Sequence, residues 1–234
     1  MQQDNTVRRI MAALEHDPDV NLHRYPIRVR EEDGTIHLEG EVEHIAAKRR
    51  AFRLARKHAG STPVIDQLRL KLAQPREDRQ LTQTVVQALA GEPVFRNFTV
   101  QAGLSEQRGT DWIGVQARDG RVRLDGSANS LSHRRMAEVL SWWVPGCADV
   151  DNRIRVQPAE KDNDAEISDA IRLILDKDPS LDAQQIGVAT RDREVYLTGA
   201  VPTEQARRTV TFDCWYIPGV HAVHNAVSVN GHSR

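Results

Sequence analysis

The sequence has few residues suited to redox or covalent chemistry. Two cysteines, Cys147 and Cys214, are spread over 234 residues, too few for a disulfide framework or a cysteine-rich metal site, and both read as reduced and inert. Aromatic residues make up 5% of the chain, too few to interleave along strands as in a single-strand nucleic-acid binder. No charge sign dominates: 32 Lys and Arg face 33 Asp and Glu, so no global field attracts nucleic acid or repels a membrane. Long hydrophobic runs are missing too. Nothing is apolar enough to span a bilayer, and the polar, then amphipathic, first residues do not read as a signal peptide. As it stands the sequence is expected to be cytoplasmic, or periplasmic if a leader has been removed.

What is present is a repeat. Three times a glycine is followed at +20 by a second: Gly40 with Gly60, Gly126 with Gly146, and Gly199 with Gly219. Each first glycine has a leucine at −2 (Leu38, Leu124, Leu197) and a basic pair at +8 and +9 (Lys48-Arg49, Arg134-Arg135, Arg207-Arg208). Beyond each second glycine comes Val-x-[Asp/Asn]-x-apolar-x-apolar. A fixed period of this kind is the mark of tandem modules. It argues against catalysis, because triplicated residues usually support a fold whereas an active site is assembled once.

Each copy opens on a helical stripe: Val7, Ile10, Met11 and Leu14; Leu81, Val85, Ala88 and Leu89; Ile167, Ile171, Ile174 and Leu175. A proline four residues after the last leucine (Pro18, Pro93, Pro179) ends it. Two short alternating runs follow, Ile27-x-Val29 and Ile36-x-Leu38 in the first copy, and predict strands. After the first glycine the spacing turns helical again, with small residues such as Ala47, Ala51 and Ala55 on one face, and the last run alternates as a third strand. The fold class is α+β: three tandem α-β-β-α-β modules, each with two helices packed on one face of a three-stranded sheet. Boundaries are expected at 1–73, 78–158 and 164–231, joined by the polar linkers AQPRED and PAEKDND. The middle copy carries an insertion at about 97–111, where Gly103 and Gly109 suggest a loop or short hairpin.

A unit of this pattern resembles the BON domain, named for bacterial osmotically induced and nodulation proteins. The residues that carry the resemblance are Leu38 with Gly40, Leu124 with Gly126, Leu197 with Gly199, and Asn152 and Asn225 in the last strand; the first copy has Asp66 there instead. The resemblance implies a non-enzymatic binding protein without cofactor. It also implies association with anionic phospholipid or a membrane surface, and a role in envelope integrity and osmotic stress.

The residues themselves offer little chemistry. His221 and His224 fall three apart on a predicted strand and so on opposite faces, and His44 and His58 lack a partner at ligand spacing, so no metal site is expected. No Gly-x-Ser-x-Gly elbow or phosphate-cradling glycine loop exists. The candidates for lipid contact are the aromatics at +16 and +17, Trp142-Trp143 and Trp215-Tyr216, with Arg134, Arg135, Arg207 and Arg208. Two adjacent rings on one helix cannot both be buried by their own module, and an exposed indole beside cations suits a headgroup boundary. The same rings would equally serve a protein-interaction scaffold, packing modules or subunits together. A cytoplasmic sensor of ions or small ligands is the third reading, and nucleic acid the least favoured partner.

Overall fold

The computed structural model describes residues 2–104 and 111–230. It divides into two compact units, Met1–Ala73 and Gln74–Arg234. The first unit contains α1 (Gln2–Glu15), β1 (Ile27–Glu32), β2 (Thr35–Val42), α2 (Ile45–Ala59) and β3 (Val64–Leu70). Its sheet has the order β1-β2-β3, with β1 antiparallel and β3 parallel to the central β2. Ile10 and Leu14 of α1 and Ala47, Ala51 and Ala55 of α2 cover Ile36, Leu38 and Leu68, all buried. Alanines on the inner face of α2 let the helix backbone lie close to the sheet.

The second unit holds two further copies. The first of these contains α3 (Asp78–Ala90), β4 (Thr99–Ala102), β5 (Trp112–Arg118), β6 (Arg121–Ala128), α4 (Leu131–Trp143) and β7 (Asp149–Val156). The other contains α5 (Asp164–Lys177), β8 (Ile186–Arg191), β9 (Glu194–Val201), α6 (Glu204–Tyr216), β10 (Ala222–Asn225) and β11 (Ser228–Val229). The α-β-β-α-β order holds in every copy once the inserted β4 is set aside. In the third, the closing strand is broken into β10 and β11, both parallel to β9.

The insertion is where one module departs from three strands. Residues 99–102 form β4, which runs parallel to β5 and gives a fourth strand, in the order β4-β5-β6-β7. Thr99, Val100, Gln101 and Ala102 pair with Trp112, Ile113, Gly114 and Val115. Gly109 and the rest of 105–110 lie outside the described residues.

Repeated local chemistry sets these elements. The residue at +4 from each first glycine caps the following helix: His44, Ser130 and Thr203 accept from the amides of Ala47, His133 and Ala206. The first glycine itself is a matter of space. A Cβ on Gly40, Gly126 or Gly199 would run into the carbonyl oxygen of Pro26, Trp112 or Gln185, at the entry to the strand paired with it.

The second linker is not free. Glu160 accepts from the Leu131 amide at 2.7 Å and so caps α4, while Asp162 reaches Arg135 of α4 at 2.5 Å and Arg193 of the third module at 3.3 Å. Lys177 at the end of α5 meets Glu92 after α3. These bonds, with α4 lying against α5 and α6, make residues 74–234 one body rather than two modules on a string.

Candidate functional site

The basic pairs do not form three equivalent cationic surfaces. Lys48 is buried; its ammonium donates to the Leu68 carbonyl at 2.6 Å and pairs with Asp66 at 2.9 Å. Arg135 is 3% exposed, held by Asp162. Arg134 and Arg208 remain exposed, and Arg207 is half-buried beside Glu204. Arg135 is therefore a correction to the expected lipid-facing set: its charge is spent inside the protein.

The [Asp/Asn] of the closing strand explains why one member of each pair is tied to the fold. Asn152 donates to the carbonyl of Arg134 at 2.9 Å and Asn225 to the carbonyl of Arg207 at 3.0 Å, both carbonyls at +8. Their side-chain oxygens accept from Ile154 and Val227, which locks the bend of the strand. The first copy has an aspartate, which cannot donate, and there Lys48 at +8 turns its own side chain inward to meet it. Sequence comparison among the copies could have found this, because the lysine at +8 and the aspartate occur together only in the first. Asp66→Ala leaves a buried ammonium without its carboxylate partner. It is expected to destabilise the first unit by about 2 to 4 kcal/mol, read as a lowered urea midpoint in far-UV circular dichroism.

The aromatic positions divide in the same way. Trp142 is 6% and Trp215 5% exposed, while Trp143 and Tyr216 are half-buried. Only the second ring of each pair reaches solvent. The extra burial at +16 fits α4 lying against α5 and α6. Burial raises the Tyr216 phenol above its usual range, helped by Asp213 and by Cys147 of the neighbouring module, which places Tyr216 against the second copy. The Trp142 indole N–H is buried and has no hydrogen-bond partner among the described residues, so this ring acts as apolar filling rather than as a polar anchor. Cys147 and Cys214 are buried free thiols, each pushed up by burial and hence unreactive.

In the first copy +16 and +17 are Arg56 and Lys57, both exposed. Helix α2 carries Lys48, Arg49, Arg50, Arg53, Arg56 and Lys57 and no acidic residue. Arg50 is bound by Asp17 and Asp19. Arg53, Arg56 and Lys57 have no ion-pair partner among the described residues, and their i, i+3, i+4 spacing gathers them on one face of the last turns. Arg56 and Lys57 stand where the other copies carry aromatics, which masks them in a comparison of the repeats. The signal was the acid-free composition of this one helix.

Among the described residues, no group of three His, Cys, Asp or Glu side chains could hold a metal. His224 instead bonds Glu194 at 2.8 Å and stacks on Tyr196 with centroids 4.6 Å apart. Among the described residues no helix is long and apolar enough to cross a membrane.

With three copies of one fold in view, the family comparison is direct: the BON domain model matches residues 2–71, 77–158 and 163–231. The chain belongs to the BON domain family. BON domains are generally binding rather than catalytic, and the family is tied to envelope, phospholipid-related or stress roles. No curated protein matches the chain. Among solved structures it is similar to the C-terminal domain of CdsD, the structural protein of the type III secretion system of Chlamydia trachomatis. That match has 16% identity over 98% of this chain and 99% of that one, with a TM-score of 0.26. A second structure of CdsD from the same organism matches at 17% identity over 98% and 94%, with a TM-score of 0.27.

Proposed function

We propose that this triple-BON protein is a non-enzymatic binder of anionic phospholipid surfaces, in an envelope- or stress-related role, and that its main contact is the outer face of α2. The observation that carries this reading is the cluster of Arg53, Arg56 and Lys57, cations without acidic partners on a helix that has no acid of its own. Such a cluster is attracted to anionic headgroups by about 1 kcal/mol per charge near the surface, so three give weak, reversible, salt-sensitive association. Burial of Trp142 and Trp215 supports a packing role for those rings over a lipid one. Of the residues expected from sequence, Arg134 and Arg208, with the half-buried Trp143 and Tyr216, remain as a second contact.

Vesicle co-sedimentation tests this. The protein is expected to sediment with phosphatidylglycerol-containing vesicles at low salt and not with zwitterionic ones. Arg53→Glu/Arg56→Glu/Lys57→Glu is expected to abolish that binding, and Arg134→Glu/Arg208→Glu to weaken it only partly. Full retention by the triple variant would remove α2 as the contact; absence of binding by the parent protein would remove the lipid reading.

A further inference from the structure

The three copies share a place where one of them is filled and two are open. In the second module, β4 lies along the free edge of β5 and against α3. It is held by backbone bonds: the Thr99 amide to the Asp111 carbonyl at 3.0 Å and the Gly103 amide to the Val115 carbonyl at 2.8 Å. The α3 and β5 positions behind it are Val86, Ala90 and Ile113 by repeat offset. The equivalent positions in the first module are Met11, Glu15 and Ile27, and all three line a groove of about 720 Å³. In the third they are Arg172, Asp176 and Ile186, and all three line a groove of about 300 Å³. The chain thus shows what this groove and edge accept: an extended segment running parallel to the first strand.

The two open grooves differ in their guard. In the third module Arg172 donates to the Val188 carbonyl at 2.7 Å. Val188 is the counterpart of Val115, so a side chain takes the bond that the added strand makes in the second module. The first module has Met11 in place of Arg172, which cannot donate, and among the described residues no bond from outside the sheet reaches Val29, the corresponding residue. An open edge is a template for strand addition, in which backbone bonds give affinity and alternate side chains give selectivity.

The rim adds a charge preference. Glu15 and Asp176 are exposed carboxylates without an ion-pair partner among the described residues, at the position where the filled module has Ala90. In the filled module, the segment entering the groove reads Arg96-Asn97-Phe98-Thr99-Val100-Gln101-Ala102, with a basic residue at its start and a β-branched residue opposite Ile113.

We infer that the β1 edge and α1 groove of the first module form a β-augmentation site for an extended segment of a partner protein, one with a β-branched residue at its centre and a basic residue at its start. The site is separate from the cationic face of α2, and its failure leaves the lipid reading untouched.

The probe is a blocked synthetic peptide of the sequence of residues 96–103, titrated to millimolar concentration into the full ¹⁵N-labelled chain. Edge-facing amides should move saturably, Ile27, Val29 and Glu31 more than Arg28 and Arg30, because only alternate residues point out of an edge. Met11→Arg, which copies the guard of the third module, should abolish these shifts, and Arg172→Met should add a second set at Ile186, Val188 and Thr190. Glu15→Lys, at an exposed position, should weaken binding several-fold and serves as the test if Met11→Arg does not fold. Absence of saturable shifts on β1, shifts confined to other surfaces, or binding unchanged in a folded Met11→Arg or in Glu15→Lys would each overturn the proposal.

Discussion

Replacing Asp162 with alanine is expected to destabilise residues 74–234 by about 3 to 5 kcal/mol, because it strands the guanidinium of Arg135 in the protein interior. Arg135 is 3% exposed; one of its terminal nitrogens meets Asp162 and the other has no partner among the described residues. The reverse change differs in kind. Arg135→Met removes the buried charge and its desolvation cost, while Asp162 keeps Arg193 and partial solvent access. That variant is expected to lose less than about 1.5 kcal/mol, since buried ion pairs often exchange for apolar side chains at little net cost. The measurement is simple because Trp112, Trp142, Trp143 and Trp215 are the only tryptophans, and all lie beyond residue 73. Guanidinium unfolding followed by tryptophan fluorescence therefore reads this unit alone. Equal losses for the two variants would show that the pair matters through its attraction and not through the stranded charge.

Asp213→Asn is expected to stabilise the same unit above neutral pH and to change little near pH 4. Asp213 is 5% exposed, with one carboxylate oxygen unpartnered among the described residues. Burial first, and the nearby Asp178 second, push its carboxyl up from 3.8 to about 7. The folded state therefore holds a proton that the unfolded state has already released. Below pH 3.8 both states are protonated and the group costs nothing; between 3.8 and about 7 stability falls as pH rises; above about 7 the loss is complete. After a discount for the part of the group that solvent still screens, the loss is about 2 to 3 kcal/mol, several degrees in melting temperature for a unit of this size. The gap between variant and parent should open between pH 4 and pH 7 and then stay constant. A gap independent of pH would mean that the side chain acts through packing rather than through its charge.

These two predictions concern residues whose importance the sequence could not display. Asp162 sits in a polar linker and reads as solvated spacer, and Arg135 reads as one of a basic pair on a helix. Only the third dimension brings them together with Arg193 and turns a connecting segment into the clamp between two modules. Asp213 is likewise a polar residue on an amphipathic helix until the fold buries it near Asp178.

The module was legible because it depends on short-range rules repeated three times. Helical stripes, proline stops, alternating strands and a glycine pair at fixed spacing are set within about 70 residues, and each copy checks the others. The triple α-β-β-α-β architecture and the family followed from those residues alone. What the sequence could not decide was which faces stay wet. A tryptophan at +16 has the same local pattern whether it meets lipid, solvent or another module, and the choice depends on helices far apart in the chain. Tertiary structure decided that Trp142 and Trp215 are buried, that Arg53, Arg56 and Lys57 of α2 are left without acidic partners among the described residues, and that the inserted strand fills an edge left open in the other two copies. Burial and edge pairing are properties of neighbours in space, and periodicity along one chain records only which side of an element is apolar.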